Sequence, residues 1–292
     1  MLGDVAEEVG GKLTERWGAV VAPAVLFWSA GLGAWVATHG RCVLKDISGW
    51  TAGEQLALGI GAGAVVLASA VVVWAFETPV LQALEGYLPA WIPFVRWKQR
   101  RMDQRIARMF DRQQELHLQG SASAERTALD AWLRHVPTDI AHRMPTRLGN
   151  VLRAAERRPF DKYGLDAVTC WSRLWLVMPA DSRAEIESAR ASLDLGVRLL
   201  IWSALFAIWS VWWPWAVLAG AIGIWISYRW ALRGAMTYGD LVEAAYDVHR
   251  FELYRALRFP LPRNTEDEPT DGKRLTQYLA LGVTSQPVDL EP

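Results

Sequence analysis

The stretch QLALGIGAGAVVLASAVVVWAF, residues 55–76, runs for 22 residues without a charged side chain. A helix needs about 20 predominantly apolar residues to cross the hydrocarbon core of a bilayer. Two further runs stand on either side of it: residues 17–40 hold 24 uncharged residues and residues 199–228 hold 30. One such run fits a buried core helix, whereas three in one chain point to a membrane protein. The first run follows Asp4, Glu7 and Glu8 rather than a basic flank, and it is longer than the core of a signal peptide. It therefore reads as a retained span.

The third run fits one tilted helix of about 45 Å or two short spans joined by a turn. The sequence Trp212-Trp213-Pro214-Trp215 favours the turn. Proline lacks the N–H that a helix interior needs, and tryptophan concentrates at the membrane–water interface. A span from about Leu195 to Trp213 and another from Trp215 to about Leu232 would leave Arg198, Arg229 and Arg233 to snorkel on one side. The expected fold class is therefore all-α, an integral membrane protein with four transmembrane helices in two hairpins and a cytoplasmic helical domain.

Of the 292 residues, 52% are hydrophobic, 21% are charged and 17 are Trp. The 31 Lys and Arg balance the 31 Asp and Glu, so the overall basic excess of a nucleic-acid binder is missing and no nucleic-acid partner is expected. Two cysteines give neither a disulfide framework nor a zinc pattern. Lysine and arginine gather on the cytoplasmic side of membrane proteins. Residues 79–198 contain 19 of them, the loop at 41–54 only Arg41 and Lys45, and the Trp212–Trp215 turn none. Both termini are therefore expected in the cytoplasm of a cell in whose plasma membrane the chain sits. The order is a cytoplasmic segment (1–16), a first hairpin (17–78), a cytoplasmic helical domain (79–194), a second hairpin (195–232), a helical extension (233–262) and a tail (263–292) that is mobile apart from a short helix at Arg274 to Leu281. Cys42 would then lie outside and Cys170 inside.

The proposed spans lack central charged groups, which argues against proton-coupled or ion-coupled transport. They do carry small residues, with Gly59 and Gly63 on the second and Gly220 and Gly223 on the fourth. Such residues let helix backbones approach closely in lipid, either within the chain or between copies in a homo-oligomer. After the first hairpin, residues 81–97 are apolar, aromatic and interrupted by prolines, and they read as an interfacial segment. A basic helix from about Trp97 to Leu118 follows. Arg96, Lys98, Arg100 and Arg101 at its start are placed to meet anionic lipid of the inner leaflet.

The most distinctive stretch reads PTRLGN (145–150), AAE (154–156), YGLDA (163–167) and WSRLW (171–175). This order resembles a family of multi-pass membrane proteins of actinobacteria and cyanobacteria. The resemblance covers about Pro145 to Pro179 and implies a membrane protein without implying an activity. Read physically, Pro145 can open a helix and Asp166 can cap the next one. Arg147, Asn150, Glu156, Asp166 and Arg173 form the candidate polar cluster. One reading is an Arg–Glu network joining Glu156 to Arg173 or Arg147. The other is a pocket in which Arg147, Asn150 and Arg173 bind an anion or nucleotide, since the arginine fork suits phosphate.

Ser182 and Glu185 resemble a capping box, and Pro260 and Pro262 end the last long helix. His135, Asp139 and His142 are close in sequence, but Pro137 interrupts any shared helix, so no metal or cofactor is expected. No nucleophile elbow, phosphate loop, dinucleotide fingerprint or HExxH motif is present, and nothing in the sequence points to an enzyme. Two functions fit. One is a membrane anchor whose cytoplasmic helices bind a protein partner or the inner leaflet. The other is a homo-oligomeric channel or membrane-disrupting effector gated by that domain.

Overall fold

A computed structural model describes residues 2–39, 50–87, 93–119 and 123–282. The described chain is all-helical. Its α-helices are α1 (Leu2–His39), α2 (Ala52–Glu85), α3 (Pro93–Leu118), α4 (Ala124–Leu133), α5 (Arg147–Tyr163), α6 (Ala167–Val177), α7 (Ala180–Leu205), α8 (Ala216–Ala256) and α9 (Glu268–Leu281). Short 3-10 turns at Ile140–His142 and Phe206–Val211 complete it. Cys42 and the basic pair Arg41 and Lys45 lie outside the described residues.

The helices divide into two units, an apolar one (Met1–Leu81 with Asp194–Ala231) and a polar one (Gln82–Leu193 with Leu232–Pro292). Among the described residues, three segments are long and apolar enough to cross a membrane: Trp17–Thr38, Ala52–Glu85 and Ala180–Val211, with mean hydropathies of 1.7, 2.4 and 1.6. The most apolar window of Ala52–Glu85 is only 11% buried, and Leu56, Ile60, Val72, Trp74 and Phe76 stand exposed along it. A soluble protein rarely leaves so continuous an apolar surface in water, and such a surface points to membrane association.

Within the apolar unit the third run is broken where the Trp–Pro turn lies. The chain leaves helical geometry at residues 212–215 and re-enters it at Ala216. The two arms then run antiparallel. A Cβ on Gly196 would stand 2.6 Å from the Ala231 nitrogen, and one on Gly223 would stand 2.6 Å from the Ser203 hydroxyl. At Gly196 the opposing backbone leaves no room for a side chain, whereas at Gly223 a side chain would have to displace the Ser203 hydroxyl. The core is aromatic. Phe27, Trp202, Phe206 and Trp209 meet at ring separations of 4.9 to 6.3 Å, and the Trp28 indole donates to Ser69 at 3.0 Å.

One charged pair sits inside this unit, and it corrects the expectation for Arg198. Arg198 does not snorkel. It is buried, its Nε and Nη2 donate to the two carboxylate oxygens of Glu77, the second at 3.1 Å, and its Nη1 donates to the Ala19 carbonyl at 2.8 Å. The planar fork finds a carboxylate and a helix carbonyl within the bundle, so it has no need to reach water. Arg229 and Arg233 are exposed, as snorkelling requires.

The polar unit is built from capped helices. Ser123 accepts from the Arg126 N–H at 3.2 Å, and Asp166 accepts from the Thr169 N–H at 2.7 Å. Two helix starts differ from the sequence reading. Helix α5 opens at Arg147 rather than at Pro145, because the extended Thr146 takes the cap and its hydroxyl accepts from Gly149 at 2.9 Å. Helix α7 opens directly after Pro179, so Ser182 lies in its first turn and does not cap it. In the tail, the short helix read at Arg274 to Leu281 ends where expected but starts earlier, at Glu268. Helix α9 buries Leu275 completely in the core formed by Leu165, Leu174, Tyr246, Leu253, Tyr254 and Phe259. It docks closely because Gly164 ends α5 in the left-handed conformation (φ 71°), and because Gly164 and Gly272 lie against opposing backbone. Residues 283–292 of that region are outside the described residues.

Candidate functional site

The five residues of the predicted polar cluster take up separate local tasks. Arg147 donates to the carbonyls of His135 (3.1 Å) and Trp132 (3.0 Å), and its guanidinium lies 4.2 Å from the centre of the Trp132 ring. Asn150 is fully buried; its amide donates to the Met144 and Thr146 carbonyls, and its oxygen accepts from the Met144 N–H. These bonds tie the 143–146 connection to α5. Glu156 accepts from Arg153 one turn earlier at 3.0 Å. Asp166 caps α6. Arg173 is exposed and donates to the Thr169 carbonyl and the Ser172 hydroxyl. The distinctive sequence is thus spent largely on fixing helix starts.

A different polar group is brought together within the same unit, along one face of α8. Asp240, Glu243, Asp247 and Arg250 follow a spacing of three, four and three residues, which aligns them on a helix. Glu243 is the centre. It is almost fully buried, accepts from Lys162 at 2.6 Å and from Arg158 at 2.8 Å, and has Arg134 at 3.6 Å. Lys162 also reaches Asp247, whose carboxylate accepts from the Tyr163 hydroxyl at 2.6 Å. Asp240 meets His135 at 3.1 Å and Arg134 at 3.6 Å. Arg250 pairs with the buried Glu268 of α9 at 2.6 Å and lies over the Tyr163 ring.

The electrostatics follow from this packing. Burial disfavours the charged form of Glu243, but the hydrogen bond from Lys162 and the charges of Arg158, Lys162 and Arg134 outweigh it and hold the carboxyl below the ordinary glutamate range. Burial likewise works against the Lys162 ammonium, and Glu243 and Asp247 reverse that and raise it. Four cations (Arg134, Arg158, Lys162, Arg250) face four anions (Asp240, Glu243, Asp247, Glu268). The cavity beside Glu243 measures about 10 Å³, the lower limit for one water. A charge-balanced seam of this kind, with Glu243 buried at its centre, braces helices. Its spacing on α8 is legible in the sequence. The opposing residues on α5, α4 and α9 are not, because helical periodicity identifies a face without identifying what covers it.

Among the described residues no three potential metal ligands converge. His135 pairs with Asp240, His142 with Asp139 at 3.0 Å, and the buried His249 with Glu252 at 2.8 Å. Cys170 is fully buried, and burial pushes its thiol up to about 11, so it is a packing residue rather than a nucleophile.

Helix α3 presents the other polar surface. Ile106 and Leu116 are buried on its inward side, where Gln99 donates to the Arg143 carbonyl at 3.0 Å and Gln113 to Asp130 at 2.5 Å. Arg96, Lys98, Arg100, Arg101, Arg105, Arg108 and Arg112 are all exposed. In the apolar unit, Gly220 and Gly223 pack on α7. Gly59, Gly61 and Gly63 of α2 face no atom within 4 Å among the described residues. Helix α2 meets α1 elsewhere, through Ala70, Val73 and the Ser69–Trp28 bond. No protein-family profile, curated protein or solved structure matches the chain.

Proposed function

We propose that this chain is an integral protein of the cell membrane that crosses it four times, as two hairpins, and anchors a cytoplasmic helical domain for a protein partner. The observation that carries this reading is the low burial of three helices apolar enough to span. The fourth span, the uncharged start of α8, is short. Residues 216–228 give only about 20 Å of helix. Exposed Arg229 and Arg233 extend it by snorkelling to about 26 Å at residue 232. Its close antiparallel pairing with α7 supports a hairpin that enters and leaves on one side. The Lys and Arg of residues 79–198 support the cytoplasmic assignment.

The topology is tested with introduced thiols, because the buried Cys170 would stay unlabelled on either side. In a Cys42→Ser/Cys170→Ala background, Val211→Cys and Val168→Cys each occupy well-exposed positions. A membrane-impermeant maleimide on intact cells is expected to label position 211 and to reach position 168 only after lysis. Labelling of 168 in intact cells would overturn the orientation.

A second reading, assembly into a homo-oligomeric channel, is favoured by the open glycine face of α2. It predicts a detergent-solubilised particle with the protein mass of several chains, reduced to one chain by Gly59→Leu with Gly63→Leu. A monomeric wild-type particle would exclude it for the solubilised protein.

A further inference from the structure

Helix α3 is amphipathic in charge. Arg101, Arg105, Arg108 and Arg112 recur at intervals of four, three and four residues, so with Trp97 four positions before Arg101 they form one stripe. The Arg101 guanidinium lies 4.2 Å from the centre of the Trp97 ring, and Trp97 remains 47% exposed. Between residues 96 and 108 there are six basic side chains and one acid, Asp103, which accepts from Gln99 beside the inward face. Farther along, Arg112 is already paired with Glu115 and Glu125. The concentrated positive charge therefore lies at the start of the helix. Gln99 and Gln113 bond to the Arg143 carbonyl and to Asp130 of α4 on the inward side, and Arg105 at the flank also lies 5.6 Å from the centre of the Trp132 ring of α4, so the stripe borders that contact while its arginines stay exposed.

We propose that this stripe is a docking surface for the anionic headgroups of a phospholipid bilayer; the inference rests on the reading of the chain as membrane-embedded and deepens it. Charge complementarity selects an anionic occupant, and three observations select the bilayer. The stripe is tethered, because only seven residues separate the end of α2 at Glu85 from the start of α3 at Pro93. Fully extended, that connection reaches about 28 Å, so α3 stays within reach of the bilayer its predecessor enters. Tryptophan interleaved with arginine suits the headgroup level, where an amphipathic ring and a phosphate-matching fork are both accommodated. The protein as a whole carries no net charge, so the positive field is local and short-ranged, unlike that of a nucleic-acid binder.

The full chain, in a Cys42→Ser/Cys170→Ala background with Gln104→Cys carrying an environment-sensitive dye, is reconstituted into phosphatidylcholine vesicles with or without 30% phosphatidylserine. A headgroup-attached quencher reads the approach of α3. Quenching is expected only with phosphatidylserine and is expected to fall in 0.5 M salt. Arg101→Gln/Arg105→Gln/Arg108→Gln should lower the docked-to-undocked ratio by about two orders of magnitude, and the corresponding lysine triple variant should retain most of it. Equal quenching in neutral vesicles, or an unaffected glutamine variant, would overturn the proposal. Retention in the vesicles after carbonate extraction reports separately on membrane embedding, so loss of one reading is distinguished from loss of the other. Binding of a duplex oligonucleotide that the glutamine variant abolishes, with no response to phosphatidylserine, would reassign the stripe to nucleic acid.

Discussion

Replacing Glu77 by leucine is expected to destabilise the detergent-solubilised chain by about 3–5 kcal/mol, the loss that follows when one partner of a buried ion pair is removed. Arg198 would keep its bond to the Ala19 carbonyl but would lose both carboxylate contacts in a site closed to water. Arg198→Leu strands the Glu77 carboxylate in the same way. The double variant Glu77→Leu/Arg198→Leu should recover most of the loss, because two apolar side chains in a buried site leave no charge unpaired. Arg229→Gln is the control: that residue is exposed, and the expected change is under about 1 kcal/mol. Denaturation monitored by circular dichroism measures all four. Additive losses in the double variant would show that the pair is not coupled. The pair joins α1, α2 and α7, three helices contributed by segments far apart in the chain. Its removal should therefore also increase proteolysis of the arms that it holds together.

Glu243→Gln is the second substitution with a large expected effect, about 1–3 kcal/mol. The amide still accepts one hydrogen bond, but Arg158, Lys162 and Arg134 lose the counter-charge they share; solvent and, for Arg134 and Lys162, Asp240 and Asp247 offset part of that loss. The sign of the pH dependence follows from the direction of the shifts. Glu243 is held below its ordinary value, so its contribution is complete above about pH 4.3 and is lost as the pH falls through the lowered value. Lys162 is raised, so its contribution is complete below about pH 10.4 and is lost as the pH rises through the raised value. The gap in melting temperature between wild type and Glu243→Gln should thus be wide at pH 7 and close in strong acid. Glu252→Gln, which removes a half-exposed partner of His249, should change stability by less than about 1 kcal/mol. A wild-type gap that stays constant down to pH 2 would remove Glu243 from the centre of the seam.

Both substitutions concern interactions that hold helices together, in keeping with a protein whose polar residues are mostly consumed by its architecture. The same residues explain why the distinctive sequence was hard to read for function. Arg147 and Asn150 look like ligands for an anion when only their chemistry is considered. In the folded chain the carbonyls of Trp132, His135, Met144 and Thr146 occupy their donors. By contrast, the basic side chains at the start of α3 show outward exposure in the structure, which makes that helix the more promising surface for an external partner.

The all-α architecture and the apolar spans were legible in the sequence because they depend on local or averaged quantities. A charge-free run of 22 residues is readable without knowing its neighbours, since charge is too costly to leave within hydrocarbon. The break at Pro214 and the cap at Asp166 are also local, being set by a missing N–H or a carboxylate within three residues. Tertiary structure alone decided the partners. Arg198 lies 121 positions from Glu77 and Arg158 lies 85 from Glu243, and helical spacing cannot specify which distant face will be opposite. It also decided which glycines are covered, since Gly223 and Gly59 are alike in sequence while only the first has a helix against it. The same was true of the docking of the last helix: its C-terminal half was legible, but Leu275 became core only because Gly164 and Gly272 let two backbones meet. The physical division is between propensities, which each residue carries with it, and complementarity, which exists only once two surfaces have been brought together.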